Sequence, residues 1–302
     1  MHSAELAIDT TIAETKPKLR LGRTIRRHIM GFAGLFILLS LVVVAFVGPY
    51  VVPYSPESQK YDNLASPSLE HPFGTDRLGR DVMTRAIYGT RVSLQVGIAA
   101  VFIGVIGGSL LGVISAYFGG SVDYLLQRLV EVVMSFPPLV LLILIAAAIQ
   151  AQVGASIWTV AVILGVLAIP LMSRVVRSIV LSEKEQPYIE AARSLGATNW
   201  RLLFLHVFPS VFPLAGILAA LSLGGMILAE AGLSFLGLGV PPPTPSLGAD
   251  MGGSARDYFT AAPWLAIFPG LILSFIILGA TMISEAVRDV VDPFARQGGV
   301  GK

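Results

Sequence analysis

Six long apolar runs constrain this 302-residue chain more than any other feature of its sequence. A helix needs roughly 20 mostly apolar residues to cross the ~30 Å hydrocarbon core of a bilayer, and each run is long enough. Backbone groups in lipid must pair within the chain, and the runs lack the alternation of β-barrel strands, so we expect helices. The predicted spans are 29–52, 92–118, 124–150, 156–180, 210–237 and 263–287.

The composition is typical of a membrane protein, and it excludes several kinds of catalytic and metal site. Only 13% of the residues are charged and the mean hydropathy is +0.76, whereas soluble domains carry about 25% charged residues. Cysteine is absent, which excludes thiolate metal sites. The four histidines share no helical spacing and form no nucleophilic constellation. The sequence therefore predicts no catalytic residues, no metal site and no nucleic-acid surface.

The distribution of basic residues predicts the orientation. The tail 1–28 is rich in Lys and Arg, and the apolar run after it is too long for a signal peptide and lacks a cleavage site. With this tail inside, fifteen of the 21 Lys and Arg residues are cytoplasmic, as the positive-inside rule requires. We expect two cytoplasmic tails, 1–28 and 288–302, a first transmembrane helix 29–52, an extracytoplasmic segment 53–91 and a transmembrane core 92–287.

A short polar stretch, 187–209, separates two of these spans on the cytoplasmic side. Pro187 suits the first position of a helix, where no amide hydrogen is needed. Gly196 suits the position just beyond a helix end, where the backbone turns left-handed. The two residues predict a helix over 187–195, and Thr198 can cap a second helix that continues to Pro209.

A helix this short is marginal in water and must dock on something. Helical spacing predicts one contact face, formed by Tyr188, Ala191, Ala192 and Leu195. Glu190 and Arg193 lie off that face and could form an ion pair three residues apart. The helix could dock on a cytoplasmic partner that moves, or pack on its own protein.

Glu190-Ala191-Ala192, followed by Gly196 and an apolar run ending in Pro209, resembles the EAA loop of ABC-importer permeases. Other stretches resemble the C-type permease subunit of dipeptide, oligopeptide and nickel importers: 72-PFGTDRLGRDVMTR-85, 116-AYFGGSVD-123, 222-SLGGMILAEAGLSFLGLGVPPPTPSLG-248 and 286-AVRDVVDP-293. The resemblance implies an all-α polytopic membrane protein with the type I importer fold, about six transmembrane helices and a cytoplasmic coupling helix. The implied ATPase-coupling residues are Tyr188, Glu190, Ala191, Ala192, Arg193, Leu195 and Gly196.

The resemblance also implies an activity, a location and partners. The chain would be a non-catalytic permease that moves peptides or a related small solute across a bacterial or archaeal cytoplasmic membrane by alternating access. Its partners would be a second homologous permease, two cytoplasmic ATP-binding subunits and an extracytoplasmic substrate-binding protein, all assembled on the lipid bilayer. ATP and Mg²⁺ would bind the ATPase subunits, and this chain would hold no cofactor.

Residues 74-GTDRLGRD-81 have the glycine spacing of a phosphate-binding loop. They lack the Lys that reaches the phosphates and the Ser or Thr that holds Mg²⁺. We therefore predict a surface turn before a helix, with Asp81 at the helix start. The alternative function is a stand-alone ion-coupled secondary transporter, but the sequence has no evident repeat and few intramembrane charges. A membrane enzyme ranks last, because no acid, base or metal cluster is evident.

Glu230 is the main ionisable residue inside a predicted span. A carboxylate there is costly and should face a cavity, a partner or the interface. Its role is either in the translocation path or gate, or in structural hydrogen bonding, and we expect it to be partly solvated. Arg128 and Glu131, three residues apart, favour a structural ion pair.

Prolines and glycines within the spans indicate bends and close packing. Pro137-Pro138 and Pro170 predict either hinges or plain kinks. Gly108 and Gly112 form a GxxxG pair, which permits close contact between helices and here predicts packing.

Overall fold

The computed structural model describes residues 21–291, and every regular element in that range is a helix. The tail ahead of residue 21 and the end of the chain beyond residue 291 lie outside the described residues, so predictions about them stay predictions. The helices are α1 (Leu21–Val51), α2 (Val82–Phe118), α3 (Gly120–Met134), α4 (Pro138–Val153), α5 (Ile157–Lys184), α6 (Pro187–Ser194), α7 (Asn199–Leu202), α8 (Phe208–Phe235), α9 (Leu247–Gly252), α10 (Ser254–Asp257) and α11 (Trp264–Val291).

Five helical stretches in the described range are long and apolar enough to span a bilayer, and α3 with α4 forms a sixth if the pair crosses as one unit. The sequence predicts a single helix over 124–150, but α3 and α4 meet at an angle of 92°. The break lies at Pro137 and Pro138, where Pro138 opens α4. Proline lacks the amide hydrogen and clashes with the preceding turn, so the helix cannot continue through this pair. Pro170, by contrast, lies inside an unbroken α5.

The centre of the fold is the contact between α2 and α5, and glycine makes it possible. A Cβ on Gly108 would lie 2.3 Å from the Cβ of Met172, and one on Gly112 would lie 2.6 Å from the carbonyl oxygen of Ser173. Gly165 gives α5 the same close approach to Ile103 of α2. The sequence predicts packing of the GxxxG pair either within the chain or against a partner subunit, and the structure shows it within the chain.

The other long helices extend this contact into a bundle. Helix α8 packs on α2 and on α11, and α11 packs on α1. Gly34 of α1 allows that last approach, since a Cβ there would lie 2.6 Å from the Cβ of Met282. Helix α4 contacts mainly α5 and buries only Leu142 and Ala146 among its residues.

Helix α2 begins earlier than its apolar run. The predicted boundary of the extracytoplasmic segment is residue 91, but the helix starts at Val82 because Asp81 caps it. The Asp81 carboxylate accepts 2.7 Å hydrogen bonds from the amide and the hydroxyl of Thr84. The predicted helix start is thus confirmed, and residues 74–81 do form a turn, but Thr75, Asp76 and Asp81 in it are buried rather than at the protein surface. At about 1.5 Å per residue, a helix of 37 residues is longer than the hydrocarbon core, so its first turns lie in the outer layer.

The outer layer is a packed unit formed by residues 52–81 and 236–263. The Arg85 guanidinium donates two hydrogen bonds to Asp250, at 2.5 and 3.1 Å. The Phe73 ring stacks on Phe268 with centroids 4.1 Å apart, and Trp264 donates to the carbonyl of Thr75. These long-range contacts fix the position of the outer ends of α2 and α11.

Candidate functional site

The short helix α6, called the docking helix below, forms where the sequence predicts it. Pro187 occupies its first turn and the last helical residue is Ser194. Gly196 follows with φ of +85°, the left-handed conformation that glycine adopts without strain. The Thr198 hydroxyl accepts from the amide of Arg201 and caps α7. The predicted end at residue 195 is one residue too late, since Leu195 is already non-helical.

The docking helix presents one face to its own protein and the other to solvent. Ile189 is 1% exposed and joins a buried core cluster, and Ala192 is half-buried against the same cluster. Tyr188, Ala191 and Leu195 are exposed, and Leu195 reaches 89% exposure. Of the predicted contact face, Ala192 lies beside the buried face, while Tyr188, Ala191 and Leu195 are exposed. Contact of this face with a partner stays a prediction.

Sequence reasoning missed Ile189 because it took Tyr188 as the start of the apolar period. The signal was present: Ile189 and Ala192 are three residues apart and share a face. Isoleucine is among the residue types most often fully buried, whereas tyrosine is intermediate. The helix therefore has two distinct roles, with Ile189 attaching it and Leu195 projecting away.

The polar side chains of the docking helix stay at its surface. Glu190 and Arg193 are exposed, and the predicted ion pair between them does not form in the described part of the chain. The Tyr188 hydroxyl donates to Glu183, and this bond raises the pKa of Tyr188 to about 12. Tyr188 is thus a neutral donor at physiological pH. Gly196 only terminates the helix and makes no close contact.

The segment after the docking helix is bonded to the end of α2, and the end of α2 is in turn bonded to the end of α5. The Tyr117 hydroxyl, near the end of α2, donates a 2.7 Å hydrogen bond to the Asn199 carbonyl. The Lys184 ammonium, at the end of α5, donates to the carbonyls of Ala116 and Tyr117, both at 2.9 Å. A cation at the C-terminus of a helix also complements its dipole. Hydrogen bonds therefore connect this segment directly to α2 and, through α2, to α5.

A row of aromatic rings follows, where α7 leads through a π-helical turn into α8. Trp200 and Phe204 stack with centroids 5.8 Å apart, and both are exposed. Aromatic side chains are enriched at the membrane interface. This row therefore indicates the level at which the chain enters the bilayer, with the docking helix outside it.

Glu230, the candidate for the path or gate, is deep inside the protein. Its side chain is 0% exposed, which agrees with the structural alternative rather than with partial solvation. It accepts hydrogen bonds from the hydroxyls of Ser93, Ser234 and Ser246, at 2.7, 2.8 and 3.0 Å. These donors come from α2, α8 and the start of α9. In this conformation Glu230 joins three segments and contacts no open path.

Two further polar features of the spans are an ion pair and a buried hydroxyl, that of Ser109, which has no hydrogen-bond partner in the described part of the chain. Arg128 and Glu131 form the expected ion pair, at 2.9 Å and at the surface. Among residues 21–291, no group of three His, Asp or Glu side chains is arranged to hold a metal ion.

Comparisons with known proteins converge on one family. Residues 108–297 match the family described as the binding-protein-dependent transport system inner membrane component. Residues 20–71 match the N-terminal transmembrane domain of oligopeptide transport permease C.

Curated relatives cover nearly the whole chain. The glutathione transport system permease protein GsiD of Pectobacterium atrosepticum is 39% identical over 90% of this chain and 89% of its own length. The dipeptide transport system permease protein DppC of Alkalihalophilus pseudofirmus is 37% identical over 90% and 88%. The GsiD protein of Shigella sonnei is 39% identical over 89% and 87%.

Proposed function

This chain belongs to the family of inner membrane components of binding-protein-dependent transport systems, and from that premise we propose that it imports a peptide or a glutathione-like solute. It is a multi-pass permease subunit of an ABC importer, and ATP hydrolysis takes place on separate subunits. The relatives named for glutathione and dipeptide transport support this cargo class. The observation that carries the mechanism is the docking helix, buried through Ile189 and exposed through Leu195.

Coupling follows from that division of faces. ATP binding closes a pair of ATPase subunits, and each subunit grips a docking helix through Leu195, with Tyr188 and Ala191 beside it. Glu190 and Arg193 supply charged contacts at the rim. Since Ile189 and the Tyr117–Asn199 hydrogen bond attach the helix to the bundle, its displacement swings the spans and opens the cavity outward. Hydrolysis resets the inward-open state, and ATP with Mg²⁺ stays on the partner subunits.

We place this chain in a heterodimer with a second, homologous permease, flanked by two ATPases. The weak burial of α4 supports this arrangement. Leu139, Val140 and Leu144 are exposed on it, although a helix in the centre of a bundle buries such residues. A partner permease seated on this face would complete the wall of the translocation path.

Both termini are proposed to be cytoplasmic. If α3 and α4 cross as one span, four crossings separate the N-terminal tail from the docking helix. The docking helix must face the cytoplasmic ATPases, so the tail lies on the same side. A reporter fused at each terminus tests the orientation. In intact cells, both reporters should be protected from a protease added outside.

The outer layer is proposed to receive the extracytoplasmic binding protein. Its two segments, 52–81 and 236–263, are joined through Arg85, which bonds to both Pro56 and Asp250, so contact with one segment moves both. Photo-crosslinking from Leu69, which is fully exposed in the outer layer, should capture the binding protein. Capture of only ATPase subunits there contradicts the topology.

Reconstitution tests the function as a whole. The chain is co-expressed with its neighbouring subunits and inserted into vesicles with the loaded binding protein outside. Uptake of dipeptide or glutathione that requires ATP in the lumen is the expected result. Uptake by the purified chain alone, driven by a proton gradient, would establish the secondary transporter instead.

A further inference from the structure

A polar cleft lies between α3 and α5, near the inner end of the bundle. Its volume is about 560 Å³, within the range of small-molecule sites. Asp123 and Glu131 of α3 line it together with Arg174 and Arg177 of α5. The amphipathic sequence of α3 explains the polarity, since its charged residues recur at helical spacing and face α5.

The cleft contains one more arginine than it has carboxylates to pair with. Arg177 donates to Asp123 at 2.5 and 2.7 Å, and Arg128 pairs with Glu131 at 2.9 Å. Arg174 is exposed to the cleft and forms no ion pair in the part of the chain that the structure describes. Three arginines therefore face two carboxylates, and the cleft carries one uncompensated positive charge.

Arg174 lies within the predicted span 156–180, and its side chain is exposed. It comes ten residues before Lys184, the end of α5, or about 15 Å along the helix axis. Ionisable residues within spans face a water-filled cavity or a partner and mark substrate pathways. The place of Arg174 in this cleft is not visible in the sequence.

We propose that Arg174 binds the carboxylate of the transported solute as the solute leaves towards the cytoplasm. A guanidinium offers two parallel N–H donors that match a carboxylate. The dipeptides and glutathione for which the relatives are named carry at least one free carboxylate. This inference rests on the proposed importer function, and it adds that the chain recognises the carboxylate of the solute.

The residues around Arg174 keep its binding of the solute weak. Asp123 and Glu131 lie on the same cleft wall and repel an entering carboxylate, so Arg174 holds the solute without trapping it. The neighbouring ion pairs also keep Arg128 and Arg177 engaged. Arg174 alone therefore sets the preference for a solute with a free carboxylate over an analogue without one.

The test measures binding to the purified complex, without nucleotide and without binding protein, so that selection by the binding protein plays no part. The probes are dialanine and its C-terminal amide, and glutathione and its diester. Calorimetry should find that each free acid binds the wild-type complex about tenfold more tightly than its analogue without a free carboxylate, since a hydrogen bond to a charged group is worth that much. Arg174→Gln should abolish this preference, and Arg174→Lys should retain part of it.

A matched control removes an arginine from the opposite end of the bundle. Arg91 of α2 lies in the outer half of its span, with its guanidinium 5.4 Å from the Phe46 ring centroid. Arg91→Gln should leave the preference for the free acid intact. Loss of the preference in both variants, an unchanged preference in Arg174→Gln, or no binding of either acid by the wild type overturns the inference.

Two further readouts separate this inference from other roles. If Arg174→Gln reduces recovery of the second permease in the complex, Arg174 pairs with that subunit and the inference fails. Wild-type complex that takes up neither solute with ATP contradicts the proposed function itself. Uptake in the wild type with the acid preference unchanged in Arg174→Gln contradicts only the role of Arg174.

Discussion

The hydroxyl of Tyr117 donates a 2.7 Å hydrogen bond to the backbone carbonyl of Asn199, a residue 82 positions away. Tyr117 lies near the inner end of α2, and Asn199 is the first residue of the helix after the docking helix. The bond therefore connects the segment that would contact an ATPase to the most buried span of the bundle. Movement of that segment can therefore be passed to α2 through this one hydrogen bond, which a single substitution removes.

Replacement of Tyr117 with Phe should loosen this connection without unfolding the protein. The variant loses one hydrogen bond, worth about 0.5–1.5 kcal/mol, while the ring keeps its packing. We expect fewer solute molecules transported per ATP hydrolysed in reconstituted vesicles. Tyr50→Phe, at an exposed position of α1, is the control and should leave the ratio unchanged. An unchanged ratio in Tyr117→Phe would show that the bond does not couple the two segments.

Leu195→Asp should disrupt ATPase docking while leaving the fold intact. Leu195 is 89% exposed, so the charge costs little in the isolated chain. Loss of a well-packed interface anchor typically costs more than about 2 kcal/mol, or over tenfold in affinity. Co-purification of ATPase subunits measures the effect. Leu69→Asp, at a fully exposed leucine of the outer layer, should retain them, and equal retention in Leu195→Asp would refute the contact.

Ile189→Ala should instead destabilise the attachment of the docking helix. Removing a buried Ile side chain costs about 2–5 kcal/mol, and Ile189→Val about 0.5–1.5 kcal/mol. Thermal unfolding in detergent, or hydrogen exchange of residues 187–198, should show that Ile189→Ala is more destabilised than Ile189→Val. If both variants behave like wild type, the helix is not held through Ile189. Comparison with Leu195→Asp separates attachment to the chain from contact with a partner.

Glu230 should prove to be a structural residue. Glu230→Ala leaves three buried serine hydroxyls without their acceptor, and each unsatisfied group costs about 1–3 kcal/mol. We expect a large loss of folded protein, whereas Glu230→Gln retains an acceptor and should be milder. Fluorescence-detected size exclusion measures the folded fraction. A Glu230→Ala protein of normal stability that fails in transport would favour the gate.

Arg85 and Asp250 should show strong energetic coupling. Both side chains are largely buried, and removing one partner of a buried pair costs about 3–5 kcal/mol because the other charge stays uncompensated. Arg85→Met with Asp250→Leu should therefore be less destabilised than either single variant. A double-mutant cycle on the unfolding midpoint measures this coupling, and additive effects would contradict it.

Much of the candidate site was predictable because its signals are local. Pro187 and Gly196 predicted the docking helix to within one residue, since each fixes the backbone at its own position. Which residues face inward was not predictable to the same degree. The helix has apolar residues on two sides, and only contact with the core cluster showed that Ile189 is buried.

The sequence by itself determined that the spans are helices, that α2 starts at its Asp81 cap, and that Pro137-Pro138 disturbs the predicted span 124–150 as either a hinge or a kink. These features depend on runs of adjacent residues, on single caps and on proline chemistry. Only the tertiary structure decided the 92° bend, the burial of Glu230 and the uncompensated charge of Arg174. Each of these depends on side chains that are far apart in the chain, and no local pattern records which distant hydroxyl or carboxylate will be folded against them.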